Sequence, residues 1–140
     1  MNAEEKQQNL LELQQLQHEL ERISQQQEMI NQQLLDLDIS KNALKTINQT
    51  KIGTEILAQV SNGIFVKSTL AENQKLIVNI GSNVTVEKTV DEVVSMLDEQ
   101  NNLMIDNSKM IDTYLENISQ QIMSKINLLE EQENKIKTKA

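Results

Sequence analysis

The sequence is unusual first for what it lacks: it has no cysteine and no proline, and it contains three glycines, two aromatic residues and one arginine among 140 residues. Without cysteine, neither a disulfide nor a thiolate metal site can form. Without proline, nothing interrupts a long helix. Two aromatic side chains, Phe65 and Tyr114, are too few to fill the core of an ordinary compact domain. These absences favour long helices over a typical globule.

The charge balance and the lack of long apolar runs exclude further classes. The net charge is −8 and the single arginine is Arg22, which argues against nucleic acid as a partner because phosphate binding needs clustered cations. No apolar run approaches the ~20 residues of a membrane-spanning helix. Residues 1–6 lack the basic-then-apolar order of a signal peptide. We therefore expect a cytoplasmic protein without membrane or nucleic-acid partners.

Two apolar stripes with a heptad period are the strongest positive feature. The first has eight apolar residues among its ten positions, and the second has ten among fourteen. The first stripe comprises Leu13, Leu16, Leu20, Ile23, Gln27, Ile30, Leu34, Leu37, Lys41 and Leu44. The second comprises Val90, Val94, Leu97, Asn101, Met104, Ser108, Ile111, Leu115, Ile118, Ile122, Lys125, Leu129, Gln132 and Ile136. A 3.5-residue repeat of this length predicts a coiled-coil seam.

Between the stripes, residues 54–88 change to the period of two that is typical of strands. Strand-like segments 54–60 and 64–70 flank Ser61-Asn62-Gly63, and Asn-Gly is a strong hairpin signal. Residues 75–80 alternate well, and a second turn follows at 81–83. The sequence therefore predicts two β-hairpins.

Four short strands cannot close a stable core by themselves, and their open edges invite pairing. We therefore expect the chain to assemble with other chains through this segment. The apolar residues that we expect to carry the assembly are Ile56, Val60, Ile64, Val66, Leu76, Val78, Ile80, Val84 and Val86.

The predicted fold is mainly α with a small β segment: an antiparallel coiled-coil hairpin whose two helices are joined by two β-hairpins, in a single domain over residues 1–140. The first helix is predicted over about 3–50, with Lys51 in its last turn and Gly53 as a C-terminal cap. The second is predicted over about 89–138, starting with a capping box formed by Thr89 and Glu92.

The similar lengths of the two helices predict a pairing register. If residues near 50 and 89 are neighbours, the numbers of paired residues add to about 139. Leu16 is then expected near Met123, and Leu10 near Leu129, to within one helical turn.

Two motifs in the middle segment resemble the alpha class of the prefoldin family, the hexameric co-chaperones of archaea and eukaryotes. They are Ser61-Asn62-Gly63-Ile64-Phe65-Val66 and the more specific run 76–89, LIVNIGSNVTVEKT, which enters the second helix as the family's strand does. Two hairpins favour the alpha class, since the beta class has one. The sequence departs from the family pattern at Ala58–Asn62, at Val84-Thr85 and at Asn83, where a second glycine is usual.

The resemblance implies a function and partners. Two alpha and four beta-type subunits would form a double β-barrel platform from their hairpins, and six coiled coils would extend from it. The coiled-coil tips would hold non-native polypeptides and deliver them to a group II chaperonin without ATP.

The sequence offers no constellation for catalysis, a cofactor or a metal ion, and we expect no enzyme. His18 is the sole histidine, so a helix-borne metal site lacks its second ligand. The acidic clusters, such as Glu130 and Glu131, are expected on solvated helix faces. Lysines 135, 137 and 139 either oppose the helix dipole or contact a partner.

The helix ends that form the predicted tips are the remaining candidate site. A strict seam uses two residues per heptad, whereas both ends carry additional apolar residues. The candidate client-binding residues are Leu10, Leu11, Leu13, Leu16, Met123, Ile126, Leu128 and Leu129. Either these side chains hold clients or they simply widen the seam. Two functions therefore compete: a holdase subunit, and a structural adaptor or spacer that joins partners through its hairpins.

Overall fold

A computed structural model of the chain describes residues 2–139, with side chains up to residue 135. Along the chain, four strands lie between two long helices. In chain order the elements are α1 (Ala3–Gln49), β1 (Glu55–Ser61), β2 (Ile64–Thr69), β3 (Lys75–Gly81), β4 (Val84–Thr89) and α2 (Val90–Lys139). The predicted fold class is confirmed, and each predicted element is present within one or two residues of its expected bounds.

The chain divides into two compact units. We call Met1–Gln33 with Met104–Ala140 the distal unit, and Leu34–Leu103 the hairpin unit. Each unit contains a segment of α1 and a segment of α2, and the hairpin unit also contains all four strands. A single domain over residues 1–140 stays a prediction.

The predicted seams are confirmed in each unit. Every stripe residue whose side chain is described is buried or half-buried; Ile136 lies outside the described side chains. In the distal unit Ile23, Ile118 and Ile122 form the buried centre. The partly buried side chains packed against that centre are Leu13, Leu16, Leu20, Ile111, Leu115 and Ile126. Apolar burial at heptad spacing thus holds the helices together.

Polar contacts between the helices establish the register. In the hairpin unit Lys41 Nζ lies 2.5 Å from Asp98 Oδ1. In the distal unit the Gln27 amide donates to Asp112 at 2.9 Å, and Lys125 contacts Glu12. The numbers of the paired residues add to 139 for the first two pairs and to 137 for the third. The helices are therefore antiparallel in each unit, at the predicted register to within a turn.

The C-terminal cap predicted for the first helix is wrong in detail. Helix α1 ends at Gln49, so Lys51 lies beyond its last turn. Gly53, with a φ of +92°, instead belongs to the turn that leads into β1, where its N–H donates to the carbonyl of Leu70 at 2.7 Å. The helix end is capped from elsewhere, because the Asn73 side-chain amide donates to the carbonyl of Thr50 at 2.8 Å.

The four strands form two separate two-stranded antiparallel sheets. β1 pairs with β2 and β3 with β4, and each hairpin carries a register irregularity just before its turn. Gly63 supplies a positive φ of +78° in the first turn. Ser82 and Asn83 take φ values of 50° and 62° in the second, so Asn83 adopts the left-handed conformation at the position where a glycine is usual.

The start of α2 shows the Thr89 half of the predicted capping box. Thr89 is both the last residue of β4 and the N-cap, and its Oγ1 accepts from the backbone N–H of Glu92 at 3.2 Å. Val90 follows directly and is buried, while its N–H donates to the carbonyl of Gln74. The second hairpin is therefore joined to the helix without an intervening loop.

Candidate interaction surfaces

A polar layer interrupts the apolar seam of the distal unit at Gln27. The side-chain amide of Gln27 donates to Ser108 Oγ at 2.8 Å and to Asp112 Oδ1 at 2.9 Å. Its Oε1 is buried and accepts no hydrogen bond from any described residue. A buried polar atom without a partner costs free energy, so this layer lowers the stability of the paired helices. Its hydrogen bonds to α2 help to fix the register of the pair.

A second polar layer lies closer to the start of α1. Lys125 occupies a seam position, and its ammonium donates to Asn9 Oδ1 at 3.1 Å and to Glu12 Oε2. The hydrogen bond from Lys125 lowers the pKa of Glu12, and a hydrogen bond from Gln8 adds to this effect. The ammonium of Lys125 therefore favours the ionised form of the Glu12 carboxyl beside it.

A charged cluster lies on the surface of the same unit. Arg22 contacts Glu19 at 2.5 Å and lowers the pKa of that carboxyl, mainly through the hydrogen bond. Tyr114 on α2 donates to the same carboxylate at a long 3.5 Å. An exposed ion pair of this kind contributes little to stability.

The candidate client-binding residues fall into two groups. Four are exposed: Leu10 at 48%, Leu11 at 49%, Met123 at 64% and Leu128 at 42% of their surface. The other four belong to the seam. Leu13, Leu16 and Ile126 pack against the buried isoleucine centre, and Leu129 is half-buried. The extra apolar residues thus partly widen the seam and partly remain on the surface.

Exposed apolar side chains also occur along the helices away from these ends. In the distal unit they include Met29 and Met110, and in the hairpin unit Leu35, Ile39 and Leu103. None of these five residues was predicted as a site residue. Exposure alone therefore does not distinguish the helix ends from the rest of the helices.

The two hairpins each present one predominantly apolar face, as strand alternation predicts. Across the first, Ala58 opposes Val66, and across the second Val78 opposes Val86. Among the predicted assembly residues, Ile56, Leu76, Val78 and Val86 are half-buried. The others, Val60, Ile64, Val66, Ile80 and Val84, are exposed. Exposed apolar side chains grouped on one face of a hairpin suit contacts with another protein.

The opposite faces of the hairpins are less polar than the alternation suggested. Leu57, Phe65 and Ile77 lie there, and more than half of the surface of each is exposed. None of the three was predicted as an assembly residue. All three have odd residue numbers, like the polar residues of the same faces. This alternation was the feature of the sequence that indicated their face.

The described part of the chain offers little for chemistry. No group of three or more potential ligands among the described His, Asp and Glu residues could hold a metal ion. His18 is exposed on α1. Among the described residues, no helix is apolar over a sufficient length to cross a bilayer.

Comparison with known proteins agrees with this architecture. The family model described as Prefoldin subunit matches residues 16–137. The chain belongs to the prefoldin family. The match includes both hairpins, most of α2 and α1 from residue 16 onward, and it begins after Leu10, Leu11 and Leu13. The family is one of non-enzymatic chaperone subunits.

The curated relatives are prefoldin alpha subunits, which confirms the resemblance to the alpha class. The one from Thermofilum pendens is 39% identical over 67 residues, covering 48% of this chain and 52% of the relative. The one from Methanopyrus kandleri is 36% identical over 97 residues, covering 69% of this chain and 62% of the relative. The chain thus spans between half and two thirds of the length of these relatives.

A solved structure supports the fold. A chain in the cryo-EM structure of filamentous PFD from Methanocaldococcus jannaschii aligns with a TM-score of 0.54 at 16% identity. The alignment covers 90% of this chain and 98% of that chain. At this identity the likeness concerns the fold, with two long helices and two hairpins between them.

Proposed function

We propose that this chain is the alpha-type subunit of an ATP-independent holdase, which binds unfolded proteins at its helix ends and delivers them to a group II chaperonin. The observation that carries the proposal is the match of residues 16–137 to the prefoldin family. The exposed Leu10, Leu11, Met123 and Leu128, near the start of α1 and the end of α2, are the surface through which we expect clients to bind.

The chemistry of these residues suits unrelated clients. Burial of apolar surface contributes ~25 cal/mol per Å² and has no directional requirement, so it does not select a particular sequence. The side chain of Met123 is flexible and polarizable, which suits an adaptable surface. The seam residues Leu13, Leu16 and Ile126 support the exposed side chains from beneath in this proposal.

The proposed partners follow from the hairpins and the family. The exposed apolar faces of the two hairpins would assemble with beta-type subunits, two alpha with four beta, to form the platform. The proposal places this assembly in the cytoplasm. The exposed Val60, Ile64 and Val84 are available for such contacts. The Methanocaldococcus jannaschii assembly is filamentous, so the subunit count is part of the test.

The test compares two triple variants in the assembled complex. Leu10→Ser, Leu11→Ser and Leu128→Ser remove exposed side chains at the helix ends. Leu35→Ser, Ile39→Ser and Met110→Ser remove exposed side chains elsewhere and serve as the matched control. Suppression of aggregation of an unrelated denatured protein is followed by light scattering, and assembly by native mass. We expect the first variant to lose most of its holding activity at unchanged mass, and the control to retain it.

Other results would contradict the proposed function. Equal loss in both variants would show that the helix ends are not the client site. If the unmodified complex assembles but suppresses no aggregation, the adaptor function is correct and the holdase proposal fails. Recovery of folded client after addition of a group II chaperonin and ATP tests the delivery step separately.

A further inference from the structure

The turn of the first hairpin, Asn62-Gly63, has chemistry beyond its role as a turn. Both residues are exposed. Gly63 has a positive φ of +78°, and a Cβ added to it meets no atom within 4 Å. Water therefore has open access to the peptide bond between the two residues.

We propose that Asn62 is a site of spontaneous deamidation in the folded chain. The backbone nitrogen of Gly63 loses its proton and attacks Cγ of Asn62. The new N–Cγ bond closes a five-membered succinimide ring, while the Cγ–Nδ2 bond breaks and Nδ2 leaves as ammonia. Water then opens the ring at either carbonyl, which yields aspartate or isoaspartate. No oxidation or reduction occurs, and water is the sole co-reactant.

Two features distinguish this asparagine. In the sequence, Asn62 is the one asparagine followed by glycine, whose missing side chain leaves the attacking nitrogen unhindered. Asparagines inside the helices, such as Asn107, precede nitrogens that are held in the i→i−4 hydrogen-bond ladder. The Gly63 nitrogen lies in a hairpin turn and is not part of such a ladder.

The second hairpin provides an internal control. Asn83 occupies the corresponding turn and is also exposed, but it is followed by Val84. The branched Cβ of valine crowds the neighbouring backbone and limits its rotation. Both hairpins carry a register irregularity at the turn, but they differ in the residue that follows the turn asparagine. They differ also in backbone conformation, because Asn83 itself has a positive φ of 62°, whereas in the first turn Gly63 has the positive φ.

Deamidation would alter the hairpin at a sensitive place. The new carboxylate adds a negative charge to a chain whose net charge is already −8, and it lies beside the exposed apolar residues Val60 and Ile64. An isoaspartyl linkage also inserts a methylene group into the backbone of a turn whose geometry is tightly defined. The reaction itself is independent of client binding.

The test is peptide mapping of the full folded chain after prolonged incubation in mildly alkaline buffer. Mass spectrometry measures the amide-to-acid conversion at Asn62 and at Asn83 in the same sample, and isoaspartate methyltransferase labels the isomeric product. We expect roughly tenfold more conversion at Asn62 than at Asn83, because the branched Val84 hinders the attack and Gly63 does not. In Asn62→Gln the first hairpin should yield no product, while Asn83 is unchanged.

The proposal is overturned if conversion at Asn83 equals or exceeds that at Asn62. It is also overturned if the first-hairpin peptide of Asn62→Gln gains acid as fast as that of the unmodified chain, since the product would then come from another amide. Retention of the Asn62 amide in the folded chain, with rapid loss in denaturant, would show that the turn blocks the reaction and would overturn it as well.

Discussion

Polar side chains at seam positions are the main residue-scale feature of the two helices. Gln27, Ser108, Lys41 and Lys125 are among those that contact the opposite helix. The pairs are Gln27 with Ser108 and Asp112, Lys41 with Asp98, and Lys125 with Glu12. Apolar heptads alone tolerate a slip by one repeat, whereas a buried polar group finds its partner in one alignment. These layers therefore contribute specificity and reduce stability.

The first prediction concerns Gln27. Gln27→Leu should raise the free energy of unfolding of the helices by about 1 kcal/mol, because it removes a buried acceptor without a partner and adds apolar burial. Asp112 is exposed and can bind water in place of the amide. Thermal melting followed by helical circular dichroism measures the change.

Gln26→Leu is the matched control, since Gln26 is exposed on the same helix and its replacement should change stability little. A lower melting temperature for Gln27→Leu than for the unmodified chain would contradict this account of the seam.

The second prediction concerns acid stability at Glu12. Hydrogen bonding from Lys125 and Gln8 lowers the pKa of Glu12 in the folded chain, whereas the unfolded value is about 4.3. The carboxylate therefore stabilises the fold above the unfolded pKa, and this contribution disappears as pH falls through the lower folded pKa. Below neutral pH the melting temperature should start to fall near the unfolded value.

Glu12→Gln should remove this part of the acid dependence and leave the remainder. The effect is small because the carboxyl is exposed to solvent and screened. Parallel melting curves of the two proteins across the acidic range test it. Identical pH profiles would show that the Lys125 contact is not formed in solution.

At the scale of elements, some helix ends are capped by a residue close in sequence, whereas another is capped by a residue far away in sequence. The start of α1 uses a local cap, because Asn2 Oδ1 accepts from the N–H of Glu5 at 2.8 Å. The start of α2 uses Thr89 in the same way. The end of α1 instead depends on Asn73, which comes from the connection between the two hairpins. Local caps can be predicted, whereas this distant one could not.

The third prediction tests the hairpin faces. Val78→Lys with Ile80→Lys should abolish assembly while the helical content persists, since two charges would be buried in an apolar contact. Native mass spectrometry with the partner subunits measures assembly, and circular dichroism measures the helices. Assembly of unchanged mass in this double variant would show that the face is not an interface.

Thr69→Lys with Thr85→Lys is the control for that experiment. Both threonines are exposed and lie on the opposite faces of the two hairpins, so this variant adds the same charge. We expect assembly to survive in it. Loss of assembly in both variants would show either that the added charge alone prevents assembly or that the opposite faces, with the exposed Leu57, Phe65 and Ile77, are also interfaces.

At the scale of the whole molecule, the proposed function depends on joining several weak sites. Each chain offers few exposed apolar side chains at its helix ends, and binding must overcome the entropy lost by both partners. Several chains that contact one client would gain through effective concentration. Assembly through the hairpins and holding at the helix ends are therefore coupled in this proposal.

The fourth prediction follows from that coupling and from the apolar character of the site. Added salt should not release a bound client, because screening weakens interactions between charges and leaves apolar burial intact. Client retention in size-exclusion chromatography over a series of salt concentrations measures this. Stepwise release with increasing salt would indicate a charge-based site.

The variant Val78→Lys with Ile80→Lys serves as the avidity control in the same experiment. As an unassembled chain it should retain far less client at every salt concentration. Equal retention by the assembled and unassembled forms would show that single chains bind clients strongly by themselves.

The candidate site was predictable only in part. The excess of apolar residues at the helix ends was visible in the sequence, but the separation of Leu10 and Leu128 from Leu13 and Ile126 was not. All four are apolar and close in sequence. Which of them is buried depends on the rotation of each helix against its partner, and that rotation is set by packing around Ile118 and Ile122.

The sequence by itself determined the elements, the two hairpins and the antiparallel register, because each follows from periodicity, local turn chemistry or length. The heptad stripes, Asn62-Gly63 and the Thr89 cap are signals of this local kind. Tertiary structure alone decided the Asn73 cap on α1 and the partners of Gln27, because both join residues far apart in sequence. Such contacts depend on the relative placement of whole elements, which no local pattern encodes.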